Sequence, residues 1–346
     1  MNHLARQRVG GTELHVPLLG FGGATLGDAR GSVPEEQALA TISGAYAAGI
    51  DLFDTSPWYG NGKSELRLGA VLREKPRESF LLTTKVGRVY ARAADRSHPA
   101  QQRWAGGLPF NPRFDYMRDG VLRSHEQSLL RLGFARVDAL AIHDLDEGHH
   151  GSPEAVDRAL GQLVSGGGFE ALAELKRAGE IKAIGAGINR TGMIPRFLER
   201  FPIDFFLLAM PYTLLNQEAL DTELPLCLEH GASVILGAPF ASGILASPTR
   251  PEATYGYGPA SGEVVERVRA IELVCARHGV PLGAAALQFP LAHPAIVSVI
   301  PGPNHPDQVR TNVQWMARAI PDALWAELKR ERLIRTDAPC PPRDRA

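Results

Sequence analysis

The chain has 346 residues, of which 44% are hydrophobic and 22% are charged, and its formal net charge is -1. This composition argues against a disordered chain, and the near-zero net charge argues against the strong field of a protein that binds nucleic acid or anionic lipid. We therefore expect a small neutral or polar ligand, with no nucleic acid and no membrane as partner.

Three widely spaced cysteines, Cys227, Cys275 and Cys340, argue against a disulfide framework and a Cys-x-x-Cys metal site. No basic segment followed by an apolar stretch is found near Met1. The most apolar run, residues 233–245, is too short and too rich in Gly and Pro to span a bilayer. We expect a cytoplasmic protein, and the sequence leaves its oligomeric state open.

The predicted elements alternate between strand and helix. The first half predicts a hairpin at 8–16, strand 18–21, helix 32–48, strand 50–54, helix 64–73, strand 80–85, helix 119–132 and strand 137–143. The second half predicts helix 169–178, strand 183–187, helix 193–200, strand 203–208, helix 219–230, strand 233–236, a helix at 263–278 that resumes to 292, strand 297–300, and helices 306–318 and 322–332.

Eight short apolar strands separated by helices favour parallel pairing, because helical crossovers cover both faces of each strand. The count predicts a single α/β domain over residues 1–346, a (β/α)8 TIM barrel with an N-terminal β-hairpin and long loops at its C-terminal face. An open doubly wound sheet would need a Gly-rich turn after the first strand and an acid about 20 residues later, and residues 20–23 lack that spacing.

Ionisable residues end three successive predicted strands. Asp54 ends the second strand with Tyr59 close behind, Lys85 ends the third, and His143 ends the fourth. Each residue alone has an ordinary structural explanation, such as a helix cap, a loop aromatic or a core histidine. In a barrel, however, the carboxyl ends of the strands form the active site. Together these residues predict a catalytic group.

Short motifs over almost the whole chain carry a family resemblance. They are Gly20-Phe21-Gly22, residues 51–60, Ser64-Glu65 with Leu68-Gly69, Thr84-Lys85-Val86, Ile142-His143, Ile300-Pro301-Gly302 and Asn312. With them the chain resembles the aldo-keto reductase family. The Ile-His-Asp ending of the fourth strand and residues 238–245 look like the sugar dehydrogenase branch, which includes L-fucose, D-threo-aldose and L-galactose dehydrogenases. The resemblance implies oxidation of an aldose at C1 to the lactone, by hydride transfer to a nicotinamide cofactor.

The three strand-end residues and Tyr59 suit such a reaction, in which hydride transfer must be coupled to movement of a hydroxyl proton. Tyr59 would carry the proton as general acid and base. Because a free tyrosine has a pKa of about 10, oxidation predicts a depressed pKa for Tyr59. Lys85 would stabilise the phenolate, Asp54 would hold Lys85, and His143 would hydrogen-bond the reacting oxygen.

Cofactor choice depends on the last strand and the loop after it. In the family, NADP-preferring members commonly place a lysine and then an arginine where this chain has Gly302 and Gln308, and neither of these pairs with a phosphate dianion. NAD is therefore favoured, while Arg310 keeps NADP open. Asn304 and Asn312 are candidates for binding the adenosine half.

Other cofactor contacts are expected from residues near the strand ends. The main chain around Ser242, Gly243 and Leu245 is predicted to bind the pyrophosphate, with helix amides after the eighth strand adding to that site. Asp54 is counted with the cofactor-binding candidates as well as the catalytic ones.

The chain departs from the wider family pattern where the nicotinamide ring is held. Many members have Ser-Asn after the fifth strand and Gln on the sixth, and here only Asn189 offers a polar substitute. The aromatic residue that usually stacks on the ring is replaced by Gly237 or Ala238, which leaves Tyr212 and Phe240 as stand-in candidates.

Substrate contacts are expected from Trp58 and His143. The long connection 86–118 carries Tyr90, His98, Trp104, Phe110 and Tyr116, which would either stack on a sugar or form the loop's own core. The acidic loop 144–168 is expected to be solvated and to bind no metal. Two alternatives to the aldose dehydrogenase stay open: an aldehyde or pyridoxal oxidoreductase with the same four residues, and a cofactor-binding barrel that serves as a non-catalytic interaction module.

Overall fold

The computed structural model describes residues 1–29, 31–93, 103–247, 253–256 and 258–341. The strands are β1 (Arg6–Arg8), β2 (His15–Pro17), β3 (Phe21–Gly22), β4 (Leu52–Asp54), β5 (Leu81–Val86), β6 (Arg88–Arg92), β7 (Phe110–Phe114), β8 (Ala139–His143), β9 (Ala183–Ile188), β10 (Phe205–Ala209), β11 (Ser233–Gly237), β12 (Thr254–Tyr255), β13 (Gly258–Pro259) and β14 (Ile296–Ile300). The helices are α1 (Glu35–Ala47), α2 (Lys63–Leu72), α3 (Arg118–Leu132), α4 (Glu147–His150), α5 (Pro153–Val164), α6 (Gly168–Arg177), α7 (Met193–Leu198), α8 (Glu223–Glu229), α9 (Gly262–Arg277), α10 (Leu282–Gln288), α11 (Pro306–Ala317) and α12 (Asp322–Arg330).

Eight of these strands form one sheet in the order β14, β11, β10, β9, β8, β5, β4, β3, and every neighbouring pair is parallel. A parallel backbone bridge between Leu19 and Val299 joins the two ends of the sheet. The predicted (β/α)8 barrel is confirmed. That residues 1–346 form one domain stays a prediction.

The barrel strands are mostly apolar and lie in the interior. Every residue of β8, β9, β10, β11 and β14 is buried. Parallel strands are covered by helices on one face and by other side chains inside the barrel on the other, so they lack the alternation of half-exposed strands. Because all eight strands run parallel, their carboxyl ends lie at one rim of the barrel.

The N-terminal hairpin closes the amino end of the barrel. Val9, Leu14 and Val16 pack with residues that point into the barrel, among them Leu52 and Phe205. Gly10 has a φ of 52°, and a Cβ there would lie 2.6 Å from the Asp204 carbonyl oxygen, so only glycine seats the hairpin this closely. The carboxyl end of the barrel is the end left for a ligand.

The two long connections contain more structure than the sequence predicts. In the first, β6 and β7 pair as an antiparallel hairpin; His98, which was expected there, lies outside the described residues. The second was expected to be a solvated loop, and this is wrong. It contains α5, where Ser152 caps the first turn by accepting a hydrogen bond from the amide of Ala155 and a stripe from Val156 to Leu163 is buried.

Among the described residues, no single helix is long and apolar enough to cross a membrane. One pair, Gly262–Arg277 followed by Leu282–Ala292, passes by length and composition but is bent by 100°.

Candidate active site

A buried ion pair lies at the carboxyl ends of β4 and β5. Lys85 Nζ donates to Asp54 Oδ2 at 2.7 Å and to the carbonyl oxygen of Thr55 at 2.7 Å. Thr83, which faces Asp54 in the strand register, donates its hydroxyl to Asp54 Oδ1 at 2.8 Å. Asp54 is 4% exposed and Lys85 is 1% exposed. Because both carboxylate oxygens have partners, the pair holds Lys85 in one position.

Tyr59 lies against this pair. Lys85 Nζ is 4.7 Å from the centroid of its ring, and the ring of His143 stands perpendicular to it with a centroid distance of 5.9 Å. Trp104, from the long connection after β6, meets the Tyr59 ring edge-on at 6.2 Å. The structure therefore brings all four predicted catalytic residues together at the carboxyl rim.

The expected depression of the Tyr59 pKa is wrong. Burial, followed by the negative charges of Asp54 and Asp144, raises the pKa of Tyr59 well above its ordinary value, and Arg88 opposes this only in part. The main physical reason is that burial disfavours the charged phenolate, and the carboxylate of Asp54, which lies beside Lys85, adds to this effect. Burial also raises the pKa of Asp54, against the opposing effect of Lys85.

His143 ends β8 and is held at its Nδ1 atom. Ser56 Oγ lies 3.0 Å and Arg88 Nη1 lies 3.2 Å from Nδ1. Burial lowers the pKa of His143 well below its ordinary value, and the positive charges of Arg88 and Lys85 act in the same direction, against the carboxylate of Asp144. The imidazole is therefore neutral at physiological pH.

Two residues of this site, Arg88 and Asp144, were not predicted as functional. They form a buried ion pair of 2.9 Å between Arg88 Nη1 and Asp144 Oδ2. The guanidinium carbon of Arg88 also lies 4.7 Å from the ring centroid of Trp58 and 4.3 Å from that of Phe114. The signal was available, since Arg88 follows Lys85 by three residues and Asp144 directly follows His143 at a strand end.

An acidic cluster extends from this pair. His149 Nδ1 lies 2.9 Å from Asp146 Oδ1, and His149 Nε2 lies 3.5 Å from Asp144 Oδ2. Asp144 and Asp146 are 2% and 3% exposed, so the expectation that they are solvated is wrong. The predicted amide, Asn189, donates its side-chain N–H to Asp144 Oδ1 at 3.0 Å and so lies at the same rim. That this loop binds no metal stays a prediction.

Small residues at three adjacent strand ends leave room beside the catalytic candidates. They are Gly187 on β9, Ala209 on β10 and Gly237 on β11. A Cβ at position 187 would lie 3.3 Å from His143 Cδ2 and 3.8 Å from Lys85 Cε, so a side chain there would fill this space.

The loop after β11 has a strained backbone. Ala241, Ser242 and Gly243 have successive φ values of 46°, 63° and 94°, which residues with a Cβ rarely adopt. Such strain concentrates at ligand clamps. The Ser242 side chain is buried near Met210, and Leu245 is fully buried. The side chains of Ser242 and Leu245 are thus turned inward, and the binding of a pyrophosphate by the main chain of this loop stays a prediction.

The predicted adenosine-binding residues follow β14, which neighbours β11 in the barrel. Gly302 is exposed, Asn312 is 4% exposed on α11, and the Asn304 amide donates to Gln308 Oε1 at 2.8 Å. Arg310 forms an ion pair with Asp307. The residues predicted for the two halves of the cofactor thus follow two neighbouring strands.

The two aromatic stand-ins differ in position. Tyr212 is fully buried and stacks on Phe289, with centroids 5.6 Å apart and an angle of 27°, so its proposed stacking on a nicotinamide ring is wrong. Phe240 is half-buried and packs edge-on against Trp315.

Two clefts lie at opposite ends of the barrel. One is a narrow crevice lined by Trp58, Lys85, Arg88 and His143, among others. A larger one of about 310 Å³ is lined by Arg77, Arg136 and other residues that precede strands, and so lies at the amino end of the barrel. We place the candidate active site beside the smaller cleft, because Lys85 and His143 line it and the Tyr59 ring packs against both.

The barrel and the residues at its carboxyl rim define a class, the oxidoreductases built on a (β/α)8 barrel. The model described as "Aldo/keto reductase family" matches residues 18–331, and the chain belongs to this family, whose members use nicotinamide cofactors. The predicted resemblance is thereby confirmed, and the chain is an oxidoreductase.

Two relatives and one solved structure show this similarity over nearly full length. The chain is 39% identical to a pyridoxal 4-dehydrogenase from Microbacterium luteolum, covering 95% of this chain and 98% of the relative. It is 36% identical to a D-threo-aldose 1-dehydrogenase from a Pseudomonas species, covering 93% of this chain and 96% of the relative. An aldo-keto reductase from Bacillus halodurans, in its holo form, superposes with a TM-score of 0.73 at 24% identity, covering 97% of this chain and 98% of that structure. At this identity the likeness shows the fold alone.

Proposed function

We propose that this chain is an NAD-dependent dehydrogenase that oxidises an aldose at C1 to the lactone, with Tyr59 as general acid and base. The observation that carries the proposal is the contact of Tyr59 with the buried Lys85–Asp54 pair and with His143 at the carboxyl rim. When bound, the oxidised nicotinamide accepts a hydride and supplies a positive charge. The residues of the chain then have to move and hold one proton.

In the proposed oxidation, the substrate hydroxyl loses its proton to the Tyr59 phenolate. Lys85 stabilises that phenolate by its charge, and Asp54 and the carbonyl of Thr55 keep Lys85 beside it. His143 is neutral and directs the reacting oxygen through a hydrogen bond. In the reverse direction the protonated phenol is the acid, and the high pKa of Tyr59 keeps it protonated.

The preference for NAD over NADP rests on the loop after β14. Gln308 accepts the Asn304 amide and offers no charge, while the carboxylate of Asp307 would repel a 2′-phosphate. Arg310 is the cation available for that phosphate, and it is already paired with Asp307. An exposed pair of this kind is weak. The preference for NAD therefore rests on the repulsion of a 2′-phosphate by Asp307 and on Arg310 being the one lysine or arginine in residues 301–310.

A second candidate substrate is pyridoxal, favoured by the 39% identity to a pyridoxal 4-dehydrogenase. An aldose and pyridoxal share one chemical feature, a hydroxyl placed to close on the aldehyde as a cyclic hemiacetal. Oxidation of that carbon gives a lactone in both cases, and the same proton transfer at Tyr59 serves both. Trp58, whose ring lies on the Arg88 guanidinium, is proposed to contact either ring.

Turnover of a substrate panel tests the proposal. Purified protein is assayed with L-fucose, other aldoses, pyridoxal and simple aldehydes, each with NAD and with NADP. Reaction of pyridoxal but no aldose selects the second candidate, and reaction of none contradicts both.

Tyr59→Phe is the matching variant for the catalytic assignment. It should lower turnover by about 10²–10⁴-fold, since it removes the general acid and base, while cofactor binding stays near wild type. Tyr90→Phe is the control, because the Tyr90 ring packs near Arg131 and its loss of a hydroxyl leaves the site intact. Equal turnover of Tyr59→Phe and wild type would remove Tyr59 from its proposed role.

A further inference from the structure

A single nitrogen of Arg88 contacts both His143 and Asp144. Nη1 lies 3.2 Å from His143 Nδ1 and 2.9 Å from Asp144 Oδ2. A guanidinium nitrogen in a protein always carries its hydrogens and has no lone pair to offer. In its contact with Nδ1, Arg88 must therefore be the donor and Nδ1 the acceptor.

This contact decides between the two neutral forms of the imidazole. One ring nitrogen of a neutral histidine carries a proton and the other accepts a hydrogen bond. With Nδ1 accepting from Arg88, the proton must lie on Nε2. Ser56 Oγ, 3.0 Å from the same Nδ1, could not decide this alone, because a hydroxyl either donates or accepts.

The Nε2 atom is then a donor directed away from Ser56 and Arg88. Asp144 Oδ1 lies 3.4 Å from it, beyond a normal hydrogen bond to a charged acceptor. The groups whose charges act on the ring are Asp144, Arg88, Lys85 and His149. Asp144 favours a second proton on the imidazole, and Arg88 weakens this effect because it forms an ion pair with Asp144.

Arg88 itself is fixed in place. It is 4% exposed and lies between the rings of Trp58 and Phe114. The preceding Gly87 has a φ of 106°, and a Cβ there would lie 2.2 Å from Tyr116 Cε1, so only glycine allows this exit from β5. Tyr116 in turn donates its hydroxyl to the backbone carbonyl of His143 at 2.7 Å.

We propose that Arg88 is a positioning residue that fixes His143 as the Nε2–H tautomer, so that His143 donates a hydrogen bond to the reacting oxygen of the substrate. The catalytic role of this tautomer rests on the proposed function, but the assignment of the tautomer does not. Without Arg88, the ring can donate from Nδ1 to Ser56 Oγ, or take up a second proton beside Asp144, which would have lost its arginine partner.

Nitrogen-15 NMR of the imidazole side chains tests the tautomer directly, since protonated and unprotonated ring nitrogens have distinct shifts. Among the 11 histidines, the signals of His143 are those missing from a His143→Gln sample. In the wild-type protein, Nε2 should be protonated and Nδ1 unprotonated from about pH 6 to about pH 9. A proton on Nδ1 in that range overturns the proposal, even if no Arg88 variant folds.

The Arg88 variants test its role in that state. Arg88→Met should show an Nδ1–H or doubly protonated His143, and Arg88→Lys, which keeps a donor, should restore part of the Nε2–H signal. Arg92→Met on the same hairpin, where the side chain is exposed, is the control and should leave His143 unchanged. An Arg88→Met protein with the wild-type Nε2–H signature would show that Arg88 is only structural.

Kinetics on a substrate identified by the panel then separate orientation from binding. Arg88→Met should lower kcat by about 10²-fold or more, the usual effect of losing one donor to the reacting oxygen, with the KM for the cofactor near wild type. An unchanged kcat overturns the link to catalysis. A panel without any turnover would contradict the proposed function and leave the NMR result to decide on Arg88.

Discussion

Replacing Lys85 with methionine tests whether the buried pair with Asp54 is held together by charge. Lys85 Nζ lies 2.7 Å from Asp54 Oδ2, and both side chains are within 5% of full burial. Methionine keeps the apolar stem and removes the cation, so it leaves a carboxylate with only Thr83 as donor. Breaking a buried pair from one side costs about 3–5 kcal/mol of unfolding free energy.

This loss should depend on pH in one direction. Burial already raises the pKa of Asp54 in the folded protein, and removal of Lys85 raises it further. A group whose folded pKa is raised stabilises the fold below its unfolded pKa, and this contribution is lost as the pH rises toward the folded pKa. The variant should be least destabilised near pH 4 and lose at most about 1.36 kcal/mol per pH unit above it.

Urea unfolding at about pH 4.5, 6 and 7.5 measures this dependence through the midpoint and slope of each transition. Lys85→Met is compared with Asp54→Asn and with the double variant, which removes the unpaired charge and should recover much of the loss at pH 7.5. Lys75→Met, which loses only a contact over the Tyr46 ring, is the control. The reasoning is refuted if Lys85→Met loses the same free energy at every pH and the double variant recovers none of it.

The remaining predictions concern the reaction and the cofactor. Because burial, Asp54 and Asp144 raise the pKa of Tyr59, kcat/KM for oxidation should rise from about pH 7 to about pH 9 while that for reduction stays flat; an oxidation rate that falls over this range would contradict this. Gln308→Arg should shift the ratio of NADP to NAD binding, measured by fluorescence titration, by about tenfold toward NADP, and an unchanged ratio would place the phosphate elsewhere. Gly187→Ala should weaken binding of either cofactor, because its Cβ would lie 3.3 Å from His143 Cδ2, and a circular dichroism spectrum like that of wild type would show that the fold is intact.

Much of the site was predictable because of barrel topology. In chain order, β4, β5 and β8 are neighbours in the sheet, so the residues that end them come together without any knowledge of the loops. Asp54, Lys85 and His143 could be found in this way, and Tyr59 follows Asp54 closely enough to share the rim. Their roles in catalysis remain proposals.

Other features depended on burial, which the spacing of residues does not report. The sequence predicts a lowered pKa for Tyr59 from the charge of Lys85 alone, but the folded protein places Asp54 in contact with that lysine and excludes water from the phenol. Tyr212 illustrates the same limit, since a strand-end aromatic proved to be packed against Phe289 rather than exposed at the rim.

By itself, the sequence determined the order of strands and helices, the barrel and the residue types at its carboxyl rim, because these follow from local periodicity and from the adjacency of successive parallel strands. Only the tertiary structure decided which atoms meet. Arg88 reaches His143 because the chain turns at Gly87 and folds back as a hairpin over Trp58, and such a contact depends on the path of a connection and the direction of a side chain. For that reason the sequence locates the candidate proton-transfer residues, and the structure supplies their burial and their contacts.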